Sequence, residues 1–583
     1  MRAVESVLIA NRGEIAVRVI RAAHDLGLRA IAVYSELDRD AVHVDLADEA
    51  WNVGPGPSAE SYLNIPKILE VAAASNADAL HPGYGFLAEN AGFATAVIDA
   101  GLIWVGPPPE AIATMGDKIA SRAAAEAAGV PTVPGTMEPL AGVDEVAAFA
   151  EDHGFPIAIK AAHGGGGKGL RVVRSPDDLD AAFESAKREA DAWFANPEVY
   201  VERYLDNPRH IEAQIIFDKH GNGQFLGERD CSMQRRHQKL IEETPAPFFT
   251  GKQRSRLSKL ALAVARAAAY ENAGTVEFLM DEKGNLYFLE MNTRIQVEHT
   301  ITEEATGIDL VAEQLRVAAG EKLSFDDVDA RGHVMEFRIN AEDPARGFLP
   351  TPGTLSRYRE SAGRGIRVDS GVRQGSSISQ YYDTLIAKLI VSGRDRSETI
   401  ARAKRALAEF DIGGVDTTIS AHLTILDNED FVAGRITTRL VEDSMDFTHL
   451  ATKTAPALPE DAELEERNIT VEVGGQRYEV RYWSEVIAPT SSGQRPAPRR
   501  RAPKLSERSG QGGEGIVTAP MQGTIVKVHH GAGDAVVAGE PVCILEAMKM
   551  ENEIKSPNDG EIVDLRVQPG DTVAAGAVLM VIR

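Results

Sequence analysis

The chain has 583 residues, long enough for about three to five domains with buried cores. Its 62 basic and 87 acidic residues give a net charge of −25, which argues against nucleic acid as a partner. With two cysteines and no apolar run of the ~18 residues that span a bilayer, the sequence predicts no disulfide framework, no cysteine-based zinc site and no membrane partner. The N-terminal apolar run is too short for a signal peptide, so we expect a cytoplasmic protein.

Residues 1–115 alternate between strand-like and helix-like stretches. The pattern predicts a helix over residues 13–26 and strands over residues 4–10, 30–34, 79–81 and 103–105. This βαβ order is typical of a doubly wound domain with a parallel sheet. Residues 11–14 and 81–86 follow two of these strands, so both loops should lie at the edge of the sheet where such folds bind ligands.

The rest of the chain divides by its local patterns. Residues 116–330 mix helices with antiparallel strands, residues 331–446 begin with strands and end with helices, residues 447–486 contain a hairpin, residues 487–514 form a Pro-, Gly-, Ser- and Arg-rich flexible linker, and residues 515–583 form a β domain. Gly474 and Gly475 suit the tight turn of that hairpin. The hairpin fits a docking element for a partner protein and a small cap on the preceding domain equally well.

A glycine-rich stretch over residues 163–169 lies between two apolar strands. No helix follows it, and Lys168 precedes a glycine, so it is neither a dinucleotide fingerprint nor a Walker loop. The backbone N–H groups of Gly165, Gly166 and Gly167 could instead close over phosphates, with Lys168 adding positive charge. A flexible hairpin tip is the alternative.

A predicted hairpin brings two acidic residues together. Its turn is centred between Lys283 and Gly284, so Glu277 and Glu290 should lie directly opposite each other, and Asn292 should share a face with Glu290. Two facing carboxylates destabilise a hairpin unless something neutralises them. Oxygen ligands of this kind suit Mg²⁺ bound to nucleotide phosphates. The alternative is a pair of solvated glutamates.

The same alternation continues through Asn292, Arg294, Gln296 and Glu298, each two residues apart. If the strand runs on, these side chains line one polar face. Arg294 could then hold a small oxyanion, and Glu298 could act as a general base if its pKa is suitable. A solvated strand face is the alternative.

The C-terminal β domain repeats itself at an offset of 37 residues, as residues 533–536 recur at 570–573. Each half alternates apolar and polar residues between glycines, which predicts a duplicated β-sandwich. Lys549 falls at the junction of the halves, where we expect an exposed hairpin. A solvated surface lysine is the usual alternative for such a residue.

Residues 1–446 resemble a biotin carboxylase of the ATP-grasp superfamily in the stretches IANRGEIA, HPGYGFLAEN, MGDK, GGGGKG, VERYLDNPRHIE, ERDCSMQRRHQK, EMNTRIQVEH and EFRINAEDP. EAMKM around Lys549 resembles the biotinyl domain of biotin-dependent carboxylases, whereas lipoyl domains usually flank their lysine with Asp and Ala. The order of these parts is similar to the α subunit of actinobacterial acyl-CoA carboxylases. The implied fold is a multidomain α/β and α+β chain: a doubly wound N-terminal domain, an ATP-grasp domain, a biotin carboxylase C-terminal domain and an all-β biotinyl sandwich.

The resemblance implies a role for each matching residue. Lys118 and Lys160 match contacts to ATP phosphates; Glu202 and Leu205 match the adenine site; His210, Gln234 and His237 line the nucleotide site; Glu277, Glu290 and Asn292 match metal ligands; Lys239, Arg294, Gln296 and Val297 match the bicarbonate pocket; Glu298 matches the base that deprotonates bicarbonate; Arg338 matches the residue that stabilises the biotin enolate; and Tyr84 lies in the loop expected near biotin. Two departures occur: Thr300 stands where the family commonly has proline, and Arg203 where lysine is also common.

The resemblance also implies ligands and partners. ATP and bicarbonate would be substrates, with biotin covalently attached to Lys549 and Mg²⁺ or Mn²⁺ as the metal. The partners would be biotin protein ligase and a carboxyltransferase β subunit that delivers the carboxyl group to acetyl-, propionyl- or longer acyl-CoA, in an oligomeric complex. Two other hypotheses remain: a complete single-chain carboxylase for pyruvate or urea, which needs a longer chain, and a non-catalytic biotin carrier, against which the intact set of site residues argues.

Overall fold

The computed structural model describes residues 4–136, 139–161, 171–194, 198–326, 328–450, 464–473, 476–485, 515–520, 523–547, 550–574 and 576–583. Gly165, Gly166, Gly167, Lys168, Lys549, the Gly474–475 turn and the predicted linker 487–514 lie outside these residues. The chain forms two compact units, Met1–Ala451 and Thr452–Arg583. Among the described helices, none is long and apolar enough to cross a membrane.

The first unit begins with a parallel sheet in the order β3-β2-β1-β4-β5. Leu8 of the first strand packs on one face of this sheet, and Val7 and Ile9 pack on the other, so both faces are covered. The predicted parallel, doubly wound sheet is therefore confirmed, whereas the third strand was not predicted. In chain order, β1–β5 span Ser6–Ile9, Arg29–Ser35, Glu49–Gly54, Ala79–His81 and Ile103–Trp104, and α1–α5 span Gly13–Asp25, Val42–Leu46, Ile65–Ala74, Ala91–Asp99 and Pro109–Gly116.

A small sheet in the order β7-β6-β8 follows, and then the strands that carry most of the polar residues of interest. Strands β6–β13 span Ile157–Ala161, Arg171–Val173, Val199–Arg203, Arg209–Phe217, Gly223–Arg235, Gln238–Thr244, Asn272–Met280 and Leu286–Asn292. Helices α6–α11 span Lys118–Ala127, Val143–His153, Leu179–Phe194, Gly251–Ala267, His299–Thr306 and Leu310–Ala318.

One antiparallel sheet continues across the predicted domain boundary at residues 330 and 331. Its order is β13-β12-β9-β10-β11-β14-β21-β19, and β11 pairs with β14 from Ile241 opposite Phe337 to Thr244 opposite Val334. The two regions therefore share a backbone hydrogen-bond ladder. Strands β14–β22 span His333–Asn340, Glu342–Asp343, Leu349–Pro350, Gly353–Thr354, Arg357–Arg359, Ile366–Ser370, Ser377–Ile378, Leu385–Gly393 and Asp411–Gly413, and α12–α15 span Arg396–Glu409, Ile419–Asp427, Glu429–Val432 and Leu440–Ser444.

The expected continuation of a strand from Glu290 to Glu298 is wrong beyond Asn292. Strand β13 ends at Asn292, and Glu298 immediately precedes the first residue of α10. Glu89, from the N-terminal region, accepts hydrogen bonds from the backbone N–H of Thr293 at 3.1 Å and from Nε of Arg294 at 2.9 Å. Strand pairing with β12 stops at Asn292 and these contacts with Glu89 follow, so the regular spacing of these residues does not reflect a strand.

In the second unit, the repeat of 37 residues relates two sheets. Their orders are β29-β28-β26-β31 and β25-β32-β30-β27, and the shift converts each strand of one sheet into the corresponding strand of the other. Ile525 and Leu545 of one sheet and Ile562 and Leu579 of the other are fully buried, as two sheets packed face to face require. The predicted duplication is confirmed. Strands β23–β32 span Leu464–Val473, Gln476–Glu485, Ile516–Thr518, Gly523–Val528, Ala535–Val536, Pro541–Ala547, Met550–Lys555, Gly560–Leu565, Thr572–Val573 and Val578–Ile582.

Glu342 gives the first unit a pH-dependent stability. It is buried, and burial raises its pKa from 4.5 to about 7, although Thr384 Oγ1 donates a hydrogen bond to it at 2.6 Å. The native chain thus holds this proton more tightly than the unfolded chain, and the stability that it contributes is lost as the pH rises through about 7. We expect Glu342→Gln to stabilise the chain at pH 8, by up to about 3 kcal/mol, with a gain that shrinks as the pH falls. Thermal unfolding at several pH values checks this, and an equal gain at every pH would contradict it.

Candidate active site

The two acidic residues of the predicted hairpin lie directly opposite each other. Glu277 of β12 pairs with Glu290 of β13, as predicted. The turn itself is centred on Lys283 rather than between Lys283 and Gly284, and a register shift between Glu277 and Phe278 brings the two glutamates opposite each other. Glu277 is buried, whereas Glu290 keeps exposed surface at the rim. Desolvation by the surrounding protein and repulsion from the carboxylate of Glu277 both raise the pKa of Glu290. Asn292 Nδ2 donates to Glu277 Oε1 at 2.7 Å, so two of the predicted metal ligands are in contact, and the third, Glu290, lies opposite Glu277 on the neighbouring strand.

Cations balance the buried charge of Glu277. Lys239 Nζ lies 3.4 Å from Glu277 Oε1 and 2.6 Å from Glu298 Oε1, and it also pairs with Glu212. Burial opposes the charge of Lys239, but these carboxylates outweigh it and hold the pKa of the lysine well above its usual value. In the same way, Lys239 and His210, whose Nε2 is 2.6 Å from Glu277 Oε2, overcome burial and hold the pKa of Glu277 well below its usual value.

Glu298 lies between two cations, Lys239 and Arg338. Arg338 Nη2 is 2.8 Å from Glu298 Oε2, and Arg338 Nε donates to Glu242 Oε1 at 2.6 Å. Burial raises the pKa of Glu298, but the attraction of Lys239 and Arg338 lowers it further, to below its usual range. Glu298 is therefore ionised and able to accept a proton, although the same attractions weaken it as a base. A ligand that engages either cation will strengthen it.

Gln296 and Arg294 reach the same site from the loop after β13. Gln296 Nε2 donates to Glu277 Oε1 at 2.7 Å, and Arg294 Nη2 donates to Asn292 Oδ1 at 2.8 Å. The backbone oxygen of Val297 accepts a hydrogen bond from Lys388 Nζ at 2.9 Å. The predicted bicarbonate residues are thus close together even though the strand expected to carry them ends earlier.

Two further residues, Arg229 and Glu212, were missed in the sequence analysis. Both side chains are fully buried, and Arg229 Nη2 lies 3.1 Å from Glu212 Oε2. Arg229 also donates to Gln214, Thr275, Thr302 and Gln296, so it fixes the amide of Gln296. One signal could have found Glu212: His210, Glu212 and Gln214 are two residues apart and share a face of β9.

Removal of the Arg229 guanidinium should destabilise the first unit. Arg229→Met leaves the buried carboxylate of Glu212 with less compensation and removes the partners of several buried polar groups. We expect a loss of about 3–5 kcal/mol in the free energy of unfolding. Thermal unfolding of the full chain measures it. Arg394→Met, which removes a guanidinium with 83% of its surface exposed, is the control and should leave the midpoint unchanged. Equal midpoints for the two variants would contradict the expectation.

The predicted nucleotide residues approach the site from two sheets. Lys160 of β6 pairs with Glu202 of β8, and Leu205 is buried just beyond that strand. His210 and Gln234 are buried on β9 and β10, and His237 is exposed in the turn between β10 and β11, where its φ is +65°. Lys118 is exposed at the first position of α6.

Tyr84 lies in the loop after β4, beside α1. Its hydroxyl donates to Glu14, and Asn11 Nδ2 donates to its backbone oxygen at 2.7 Å. Asn11 also donates to the oxygen of Pro82 at 2.7 Å, which confirms that the loops after β1 and β4 meet at one edge of the sheet.

The donor set fits a hard divalent cation bound with a nucleotide. Glu277, Glu290 and Asn292 offer carboxylate and amide oxygens, the ligands that Mg²⁺ prefers. Ligand atoms of His210, Glu212 and Glu277 also lie within 4.8 Å of one another. Glu290 is exposed to solvent, so a metal ion bound to phosphates could reach its carboxylate from outside.

Sequence models of known families match most of the chain. Residues 3–112 match the N-terminal domain of biotin carboxylase, residues 117–325 match the ATP-binding domain of the carbamoyl-phosphate synthase L chain, and residues 336–443 match the C-terminal domain of biotin carboxylase. Residues 516–582 match the biotin-requiring enzyme domain.

Individual proteins are similar over long stretches. The biotin-dependent acyl-coenzyme A carboxylase alpha3 subunit of Mycobacterium leprae (strain TN) is 49% identical over 590 aligned residues, which cover 100% of this chain and 99% of that protein. The crystal structure of the Campylobacter jejuni biotin carboxylase–βγ-ATP complex is 45% identical, with a TM-score of 0.71, over 76% of this chain and 99% of that one. The biotin carboxylase domain of the Hydrogenobacter thermophilus 2-oxoglutarate carboxylase, in complex with MgADP, ADP and bicarbonate, is 46% identical, with a TM-score of 0.70, over 76% of this chain and 98% of that one.

The fold and these matches define an ATP-dependent ligase with a domain for biotin. The chain belongs to the biotin-dependent carboxylase family, as a biotin carboxylase joined to a biotinyl carrier domain. It catalyses the ATP-dependent carboxylation of biotin. The family resemblance of the sequence motifs is thereby confirmed.

Proposed function

We propose that this chain is the α subunit of an acyl-CoA carboxylase. In this role it carboxylates the biotin on Lys549 of its own carrier domain, and a separate carboxyltransferase β subunit transfers the carboxyl group to acetyl-, propionyl- or longer acyl-CoA. The observation that carries the proposal is the match to a protein named as an acyl-coenzyme A carboxylase alpha3 subunit, which covers 99% of that protein's length. Biotin protein ligase would attach the biotin, and the cytoplasm is the expected location of the complex.

The proposed ATP site uses residues of both sheets. Lys118, Lys160 and Lys168, with Gly165, Gly166 and Gly167, would bind the phosphates, and Glu202, Leu205, His210, Gln234 and His237 would surround the rest of the nucleotide. Glu277, Glu290 and Asn292 would hold Mg²⁺ or Mn²⁺, which neutralises charge that develops on the phosphates. The facing carboxylates of Glu277 and Glu290 support this assignment.

Bicarbonate is a poor electrophile and must be activated. Lys239, Arg294, Gln296 and the backbone at Val297 would bind it, and Glu298 would accept its proton. The bicarbonate oxygen then attacks the γ-phosphorus of ATP, the bond to ADP breaks, and carboxyphosphate forms. Bicarbonate bound to Lys239 competes with Glu298 for the lysine, which strengthens Glu298 as a base; the 2.6 Å contact between the two supports this step.

Carboxyphosphate would break down to CO₂ and phosphate, the phosphate would accept the proton of the ureido N–H group, and the CO₂ would form the new C–N bond to the ureido nitrogen. Biotin supplies the ureido nitrogen that carries the carboxyl group. Arg338 would stabilise the negative charge on the ureido oxygen, and Tyr84 would border the biotin site. The hairpin of β23 and β24 is a candidate contact for the carboxyltransferase.

One assay tests this proposal most directly. The purified chain should hydrolyse ATP only when bicarbonate and biotin are both present, and it should carboxylate acyl-CoA only when a carboxyltransferase subunit is added. Acetyl-, propionyl- and longer acyl-CoA, together with pyruvate, should be compared as acceptors. Turnover of pyruvate but of no acyl-CoA would overturn the assignment of the acceptor, and the absence of bicarbonate-dependent ATP hydrolysis would overturn the assignment of the carboxylase residues.

A further inference from the structure

Lys388 joins three distant parts of the first unit through buried polar contacts. Its side chain, on β21, is fully buried. Its ammonium lies 2.9 Å from the backbone oxygen of Val297 and 3.1 Å from Glu14 Oε2. Glu14 is on α1 of the parallel-sheet domain, and Val297 is in the loop before α10. None of the roles proposed above belongs to Lys388 or Glu14.

One of these contacts holds the backbone of the proposed bicarbonate pocket. The carbonyl group of Val297 belongs to the peptide bond that leads into Glu298. Lys388 therefore fixes the plane of that peptide, and with it the position from which the Glu298 side chain starts. Because the backbone at Val297 is part of the proposed bicarbonate pocket, a shift of this peptide should weaken the binding of bicarbonate.

The other contact leads toward the proposed biotin site. Glu14 accepts a hydrogen bond from the hydroxyl of Tyr84, and the ammonium of Lys388 lies 5.9 Å from the centre of the Tyr84 ring. Tyr84 is thus held through its hydroxyl, its ring and its backbone oxygen, which accepts from Asn11 at 2.7 Å. One buried ion pair contacts both the bicarbonate side and the biotin side of the site.

Stability alone is a weak reason for such a pair. Burying a lysine and a glutamate costs desolvation energy, and apolar residues of similar volume often replace such pairs without loss. Lys388 is also near the carboxylates of Glu336 and Asp369, so removing its charge affects more than one acid. A positioning role accounts for the contacts on both sides, which a packing role does not require.

We infer that Lys388 and Glu14 are positioning residues for the carboxylation of biotin. Lys388 holds the peptide between Val297 and Glu298 for bicarbonate, and Glu14 connects the same lysine to Tyr84 on the biotin side. The inference rests on the roles proposed above for Val297, Glu298 and Tyr84.

Steady-state kinetics of the full chain test this role. Lys388→Met removes the anchor of the Val297 carbonyl, so the KM for bicarbonate should rise about ten-fold while the KM for ATP stays near that of the wild type. A residue with only a structural role would lower the amount of folded enzyme, and therefore kcat, without changing the KM for bicarbonate. An unchanged KM for bicarbonate, or an equal rise in the KM for ATP, would overturn the inference.

Two further variants keep the test informative if Lys388→Met folds poorly. The double variant Glu14→Gln with Lys388→Met removes both charges together and should keep the raised KM for bicarbonate; wild-type kinetics in this variant would overturn the inference. Lys219→Met is the matched control. It removes a lysine that donates to the backbone oxygen of Ala318 at 3.0 Å, outside the proposed site, and should leave the KM for bicarbonate unchanged.

The wild-type chain separates the two proposals. If it shows no bicarbonate-dependent ATP hydrolysis, the proposed function fails, and the positioning role fails with it. If the wild type is active and Lys388→Met keeps its KM for bicarbonate, the positioning role alone is overturned.

Discussion

Glu298→Gln should lower bicarbonate-dependent ATP hydrolysis by about 100-fold or more, because the amide cannot accept the proton of bicarbonate. The KM for ATP should change little, since the proposed nucleotide contacts do not include Glu298. The hydrolysis rate with saturating ATP, bicarbonate and free biotin gives the result. Glu298 is buried between Lys239 and Arg338, so thermal unfolding should accompany the kinetics to establish that the variant is folded.

Glu304→Gln is the matched control for that variant. Glu304 is on α10, the helix that begins just after Glu298, but it is exposed and accepts a long hydrogen bond, 3.3 Å, from Ser392 Oγ. The same substitution there should leave the rate near that of the wild type. A folded Glu298→Gln chain as active as the Glu304→Gln chain would show that another group accepts the proton.

Lys549→Arg should abolish the covalent attachment of biotin, because the guanidinium cannot form the amide bond. A streptavidin blot of the full chain should lose its signal, and label from radioactive bicarbonate should no longer be retained on the protein. Free biotin should still be carboxylated, since the carboxylase residues are in the other compact unit. The expected loss is complete, so it is the largest predicted for any single substitution.

The matched control is Lys555→Arg. Lys555 is an exposed lysine at the end of β29, six residues after Lys549 in the sequence. Its replacement should leave the blot unchanged. A signal that survives Lys549→Arg and is lost in Lys555→Arg would show that biotin is attached to Lys555 and that the assignment to Lys549 is wrong.

Local patterns predicted the parts of this molecule that depend on neighbouring residues. Counting outward from the Lys283–Gly284 turn placed Glu277 opposite Glu290, as in the structure, although the turn is centred on Lys283 and a bulge beside Phe278 makes up the difference. The repeat of 37 residues likewise gave the two related sheets of the C-terminal domain. Both inferences needed only spacing and the alternation of side chains on a strand.

Contacts between distant residues could not be predicted in this way. Just beyond the end of β13, Arg294 contacts Glu89, which precedes it by 205 residues, and no local pattern contains that contact. Lys388 reaches back 91 residues to Val297. The role of Arg229 could not be predicted because its hydrogen-bond partners come from several other segments of the chain. These segments come together only when the sheet forms.

The shared ladder between β11 and β14 has a consequence for the folding of the first unit. A polypeptide that ends near residue 330 would leave β11 with an open row of N–H and C=O groups, which invites pairing between chains. During synthesis the ATP-binding region must therefore wait for His333–Asn340 before its sheet is complete. We expect its strands to gain hydrogen-exchange protection together with those of the following region, as one cooperative unit.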